Sequence, residues 1–225
     1  MNVTSLRVVV AFALLGSIPT YASAEEEARP GRPNVILITV DNHNTSVLSM
    51  AGNRLVETPN IDRLAREGVF FSNYHVASRC SCSRAAMLTG RYHLRSGAIG
   101  TGDARATMGS LDQPTIADLF QEAGYQTGMF GKWHLGANTP FLPENRGFAE
   151  VVSYGRDSST LPHVIGGGGK AATQHKFRHN GHWKVYDGYR TDVWVHELSR
   201  FVRENRERPF FAYLATWSTH GPNQG

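Results

Sequence analysis

Cys80 and Cys82 are the only thiols in this chain, and they stand two residues apart in Cys80-Ser81-Cys82-Ser83-Arg84, directly ahead of Ala85-Ala86-Met87-Leu88-Thr89-Gly90-Arg91. Ser83 reads as an N-cap, Ala85 to Leu88 favour helix, and Gly90 suits the left-handed residue that closes one, so Cys80 and Arg84 are expected at a helix N-terminus. Unpaired backbone N–H groups there favour anions. A nucleophile at that point would be held where negative charge is stabilised, with Arg84 as a permanent cationic fork for a tetrahedral oxyanion. The same Cys-x-Cys pair also reads as a strained small-ring disulfide, half of a zinc site or two packed small residues. Zinc is disfavoured because no further cysteine completes the set.

Three other places carry residues that could share this chemistry. Asp41-Asn42 follows one apolar run, Gly131-Lys132-Trp133-His134 follows a second, and Ser218-Thr219-His220 follows a third. If those runs are parallel strands, the three groups meet at one rim, because ligands in open parallel sheets bind beyond the carboxyl ends of the strands. Singly, each has an ordinary reading: Asp-Asn as a turn, Lys132 as a solvated charge, either histidine as a satisfied loop residue. Together they place hard oxygen donors beside cations and imidazoles. Such donors are of the kind calcium or magnesium takes, and the combination describes an anion site built for charge at a transition state.

The elements that must position these residues follow from the hydrophobic pattern. Asn34 to Val40 is nearly continuous in apolar residues, as in a parallel strand buried on both faces. Thr58-Pro59 opens a helix over Asn60 to Glu67 that Gly68 stops, and Val69 to Tyr74 reads as a strand. Pro114 opens another helix, with Ile116, Leu119, Phe120 and Ala123 at helical spacing and Gly124 as its stop, and Tyr125 to Phe130 reads as the next strand. A helix over Asp192 to Glu204 turns Trp194, Leu198, Phe201 and Val202 inward, ahead of a buried strand over Pro209 to Trp217. The alternation predicts an α/β fold, a central mostly parallel sheet with helices on both faces. Between Glu150 and Arg190 the pattern gives way to a Gly-rich loop and a hairpin at Asn180-Gly181. Gly166-Gly167-Gly168-Gly169-Lys170 lacks the upstream glycine and the following Ser or Thr of a phosphate loop.

Arg7, the apolar stretch Val8 to Ile18 and the small residues Ala22-Ser23-Ala24 read as a secretory signal over residues 1–24, followed by a polar linker over 25–32. The expected location is therefore secreted or periplasmic, with no stable membrane association, since no later run is long and apolar enough to span a bilayer. The formal charge of +4 mildly favours anionic partners. The basic residues are scattered rather than blocked, which gives nucleic acid binding no support.

With these residues in view, the chain resembles the N-terminal part of a type I sulfatase of the alkaline phosphatase-like superfamily. The resemblance rests on Pro33 to Asp41, Thr58 to Ala65, Cys80 to Arg91, Gly131 to Gly136, and Pro209 to Leu214 with His220-Gly221-Pro222. It implies an alkaline phosphatase-like fold over residues 33–225, incomplete at its C-terminus, and the hydrolysis of sulfuric esters on carbohydrates or aryl groups. It also implies that a maturation enzyme oxidises Cys80 to formylglycine, whose hydrated aldehyde attacks sulfur. In the same pattern Arg84 stabilises that hydrate, Lys132 and His220 hold the sulfate oxygens, and His134 partners the formylglycine hydroxyl. Asp41 and Asn42 become ligands of a calcium ion, with magnesium as the alternative. The chain departs from the pattern at Cys82, where proline is usual, and at Asn42, where aspartate is usual. The resemblance further implies that the remaining metal ligands and a second sulfate-binding lysine belong to a later part absent from these 225 residues. Two other functions fit the same residues: a non-catalytic sulfatase-like remnant, and a phosphonate or phosphate monoester hydrolase.

Overall fold

The computed structural model describes residues 31–99, 111–136, 139–153 and 174–220. The expected signal segment and the run Gly166 to Lys170 lie outside them. Within the described residues one six-stranded sheet carries the fold, in the order β1-β6-β2-β3-β4-β5. Its strands are β1 (Val35–Thr39), β2 (Gln126–Gly131), β3 (Glu150–Ser153), β4 (Gln174–His179), β5 (His182–Asp187) and β6 (Phe210–Ala215). The first four in spatial order run parallel, and β4 and β5 complete the sheet antiparallel. The hairpin falls where Asn180-Gly181 announces it, with φ of 48° and 83° at the two turn residues, both in the left-handed region that a two-residue hairpin turn requires.

Helices cover both faces. The helices α2 (Cys80–Thr89) and α3 (Ile116–Glu122) lie on one side, where Ala85, Leu88 and Ala117 join Met129, Val151, Phe211 and Tyr213 in one buried cluster. The helix α4 (Arg190–Glu204) lies on the other, where Trp194, Leu198 and Phe201 pack on Phe130, Val152, Phe177 and Phe210. Alternate residues of β6 feed the two clusters, and all six are buried, which is why that segment reads as a continuous apolar run. Phe211 stacks on Phe120 at 4.5 Å between ring centroids, and burying one such side chain contributes about 1.5–3 kcal/mol.

The local signals explain most of the boundaries. Thr115 caps α3 through a reciprocal capping box with Asp118. Gly90 closes α2 in the left-handed region at φ 64°. Other expectations are corrected. Ser83 lies inside α2 and donates its hydroxyl to the carbonyl of Ala77; the N-cap is Arg79, so α2 begins at Cys80 itself. Residues Val69 to Tyr74 form no strand, for they join no strand of the sheet among the described residues. The expected double-sided burial of the first strand fails too. Strand β1 pairs with no strand but β6 among the described residues, and Ile36 and Ile38 are about half exposed. The helix α1 (Pro59–Glu67) buries none of its residues despite its apolar stripe.

Histidines in the β4–β5 region give the fold a pH dependence. His175, buried and stacked on Phe177, has its pKa held below the ordinary 6.5 by burial and then by the charge of Arg190. Burial likewise lowers that of His179. A depressed histidine pKa means that the unfolded chain takes up a proton that the folded chain refuses, so stability is intact above about 6.5 and falls as pH drops below it. Urea midpoints should therefore decline between about pH 7.5 and about pH 5.5, and His175→Phe should flatten that decline. Equal slopes for the two proteins would rule this origin out.

Candidate active site

The carboxyl ends of β1, β2 and β6 point to one rim, and the hydrogen-bond ladder runs on past the strands to fix it. The Lys132 N–H donates to the Ala215 carbonyl at 2.8 Å, Thr216 N–H to Thr39 at 2.9 Å, Asp41 N–H to Ser218 at 3.2 Å and Thr219 N–H to Asp41 at 2.8 Å. Three chain segments far apart in sequence are thereby held at fixed offsets. Gly131 makes the β2 turn possible. Its φ is 120°, and a Cβ there would run into the carbonyl of Ala215. The next two rim positions with unusual backbone carry candidate side chains, with φ of 56° at Asn42 and 60° at His134, a region that non-glycine residues occupy at a cost.

Cys80, first residue of α2, faces this rim. Its Sγ lies 3.2 Å from His134 Nδ1 and 4.0 Å from Lys132 Nζ. Lys132, 3% exposed, donates through Nζ to Asp41 Oδ2, and Arg84 Nη2 stands 3.6 Å from the same oxygen. One buried carboxylate thus serves two buried cations, an arrangement that leaves the cluster a net positive charge. Arg84 is fixed further by its Nη1, which donates to the Lys132 carbonyl at 2.7 Å and to the Tyr213 hydroxyl at 3.1 Å. Tyr213 in turn is 3.2 Å from Thr39 Oγ1, so one hydroxyl ties α2 to β1 and β6. Arg84 Nε is buried without an acceptor among the described residues.

His220 reaches the rim through Trp217. Its N–H donates to the Trp217 carbonyl at 2.9 Å and its ring meets the indole edge-on at 5.4 Å. The same indole lies 4.3 Å from Lys132 Nζ and 5.4 Å from the Arg190 guanidinium, both within cation–π range. Trp217, Tyr213 and Arg190 were not picked out by sequence. The usable signal was a hydroxyl inside the otherwise apolar β6 and an aromatic residue three before His220.

The two cysteines do not face each other, as expected of residues two apart on a helix. Both are free thiols; Cys82 is buried, with its Sγ donating to the Ala98 carbonyl at 3.1 Å. The disulfide reading is thus set aside, and Cys82 is a packing residue. For a metal, Asp41 and the exposed Asn42 are hard oxygen donors of the right kind at the right rim. They fit a calcium-like ion as a partial set, since such ions take six to eight oxygens. The group of metal-ligand residues that does converge among the described residues, Glu150, His179 and Glu197, is elsewhere, and Arg200 already salt-bridges both of its carboxylates.

A cavity of about 470 Å³ opens here, lined by Asp41, Asn42, Cys80 and Arg84 together with Ile38, Val40, Tyr74 and Val76. It is roomy enough for a substituent larger than the anion itself.

Against known proteins, the Sulfatase family model matches residues 33–225. Human N-acetylgalactosamine-6-sulfatase is 32% identical over 212 residues, covering 86% of this chain and 40% of that protein. Bacteroides thetaiotaomicron N-acetylglucosamine-6-O-sulfatase is 34% identical over 195 residues, covering 85% of this chain and 31% of that protein. Among solved structures, Ps i-CgsB in complex with k-i-k-neocarrahexaose superposes with a TM-score of 0.73 at 30% identity, over 85% of this chain and 46% of that one. The chain spans less than half the length of each of these relatives. A family match over residues 33–225, joined to a parallel sheet whose strand ends bring Asp41, Lys132 and His134 together beside Cys80, has one reading: the chain belongs to the sulfatase family.

Proposed function

We propose that this chain carries the nucleophile side of a sulfuric ester hydrolase acting on sulfated carbohydrates. The observation that carries the reading is the convergence on Cys80: His134 Nδ1 at 3.2 Å and Lys132 Nζ at 4.0 Å, with Lys132 and Arg84 both anchored on Asp41. Lys132 and Arg84 present positive charge where a tetrahedral anion gathers negative charge, and their buried setting strengthens each contact. The unpaired Nε of Arg84 supports the same role, because a buried donor left without an acceptor costs about 1–3 kcal/mol that an anion could return. His134, 3.2 Å from Cys80 Sγ, would hold or move a proton at the atom on Cβ of residue 80. His220, whose ring meets Trp217 at 5.4 Å, would serve as a further donor to the anion. Oxidised to formylglycine, Cys80 would supply a hydrated aldehyde as nucleophile, and a calcium or magnesium ion on Asp41 and Asn42 would add Lewis-acid stabilisation.

The carbohydrate substrate class is supported by the relatives, two of which are named as hexosamine 6-sulfatases, and by the carrahexaose complex. The proposal extends to export by residues 1–24 and to the sulfatase domain beginning at 33. To test it, the chain is co-expressed with a formylglycine-generating enzyme and the peptide containing Cys80 is weighed. An aldehyde at residue 80, absent in Cys80→Ala, is the expected result. A persistent thiol would favour the remnant reading. With the aldehyde in place, aryl sulfate should be cleaved ahead of aryl phosphonate, and chelation should slow it; the reverse preference would move the assignment to phosphorus esters.

A further inference from the structure

The hairpin of β4 and β5 turns an aromatic and basic face to solvent on the side of the sheet where α2 lies. Cross-strand pairing sets Arg178 opposite Trp183 and Lys176 opposite Val185, and paired residues share a face. Arg178 also pairs with Ser153 of β3, and Val151, two residues earlier on the same face, packs in the cluster of α2 and α3. The other face of the hairpin, with Phe177 and Tyr186, is the one that α4 covers. On the uncovered face Trp183 and Val185 stay 46% and 47% exposed, and Lys176 Nζ lies 5.4 Å from the centre of the indole.

The place of this face matters as much as its composition. One register row crosses the sheet through Ala215, Gly131, Ser153, Arg178 and Trp183. Gly131 precedes Lys132, so Trp183 stands three strand spacings, about 14 Å, from the strand end that carries Lys132 to Cys80. Lys176 and Val185 lie two residues further in the direction of the rim. The hairpin holds three permanent cations, Lys176, Arg178 and Lys184, against one carboxylate, Asp187. Arg178 reaches Glu144 at 3.6 Å, whereas Lys176 and Lys184 sit against the rings of Trp183 and Tyr186.

We infer that this face is a second carbohydrate subsite: a sugar ring of a sulfated polysaccharide stacks on Trp183, and Lys176 holds a sulfate of the same chain. The choice of ligand rests on the sulfated-carbohydrate reading above. The C–H face of a pyranose is flat and apolar, which suits a half-exposed indole, and its hydroxyls remain in water. Sulfate groups supply the negative charge that complements the basic hairpin. A protein partner is disfavoured because the two apolar side chains are hemmed by Lys176 and Arg178 on their own face, which leaves no wide apolar patch. Single-stranded nucleic acid is disfavoured because one indole is no row of stacking platforms. A polymer held here and at the Cys80 rim is tethered twice, which raises the local concentration of its sulfate esters at the rim.

The test measures binding of the whole chain, expressed without a maturation enzyme so that residue 80 stays a thiol, to chondroitin 6-sulfate and to its desulfated counterpart by affinity electrophoresis. The sulfated polymer should bind, and the desulfated one should bind at least about tenfold more weakly. Trp183→Ala and, separately, Lys176→Ala should each weaken binding of the sulfated polymer by about fivefold or more, whereas Trp183→Phe, which keeps a stacking ring, should stay within about threefold of the parent. Arg206→Ala removes an exposed cation beyond the far end of α4 and should leave binding unchanged, which separates a subsite from general charge attraction. No binding by the parent, equal binding of the desulfated polymer, or binding indifferent to both alanine variants on the hairpin overturns the inference. So does an oligothymidylate bound as tightly through Trp183, or a homodimer that Trp183→Ala dissolves, since either gives the face to another occupant. No readout involves turnover, so failure here leaves the aldehyde test at residue 80 standing, and a thiol retained at Cys80 leaves the binding result standing.

Discussion

Replacing Asp41 by alanine is expected to lower the stability of the folded chain by about 3–5 kcal/mol, the range for removing one partner of a buried ion pair. The size follows from what stays behind. Lys132 is 3% and Arg84 4% exposed, and both look to the same carboxylate oxygen. Without it two buried cations face each other with no counter-charge. Equilibrium urea denaturation reads the loss directly, and Asp41→Asn, which keeps the shape and a hydrogen-bond acceptor, should destabilise by less. Added sulfate should recover part of the stability of Asp41→Ala, since an anion binding only the folded form stabilises it by mass action. An Asp41→Ala protein as stable as the parent would mean that the carboxylate is not the counter-charge of this cluster.

Gly131→Ala is the second large effect, and it acts through backbone space rather than charge. A Cβ at residue 131 meets the Ala215 carbonyl oxygen with no flexible side chain to give way, and the φ of 120° is unfavourable for any L-residue other than glycine. Either β2 parts from β6 or the Lys132 N–H to Ala215 bond breaks. Destabilisation above about 4 kcal/mol, or recovery only as insoluble protein, is expected. Gly52→Ala, where φ is 94° but nothing stands within 4 Å, separates the two contributions: it should cost only the backbone strain, about 1–3 kcal/mol. Similar losses at both positions would show that strain alone, and not the β2–β6 contact, decides the outcome.

How far the sequence revealed this molecule depended on which signal each residue carried. The helices were legible because Gly90 and the inward row Trp194, Leu198 and Phe201 each do in the structure what their types prescribe, whereas the helix expected to open at Pro114 is capped by Thr115 and begins at Ile116. Strand β2 was legible because it follows the helix stop at Gly124, and β6 because full burial leaves an uninterrupted apolar run. That same rule misled for β1, since composition reports what a strand is suited to cover and not whether the cover is present. It misled again at Val69 to Tyr74, where Phe70 and Phe71 are exposed and unpaired in the ladder. At the site, Asp41, Lys132 and His134 could be grouped from strand ends, a question of topology, and Cys80 from its place at a helix start. Their bracing could not. That Tyr213 joins Arg84 to Thr39, or that Trp217 lies against Lys132 and Arg190, depends on side-chain directions that no periodicity encodes.

The position of β6 between β1 and β2 has a consequence for timing. The strand made last among those described is the one that joins the two halves of the parallel sheet. A chain emerging from its N-terminus therefore completes the Cys80 segment long before Phe210–Ala215 exists to bring Asp41 and Lys132 together over it. Until that late insertion residue 80 lies in an unfinished, solvent-reachable stretch, which is the interval in which another enzyme could handle its side chain without having to unfold anything.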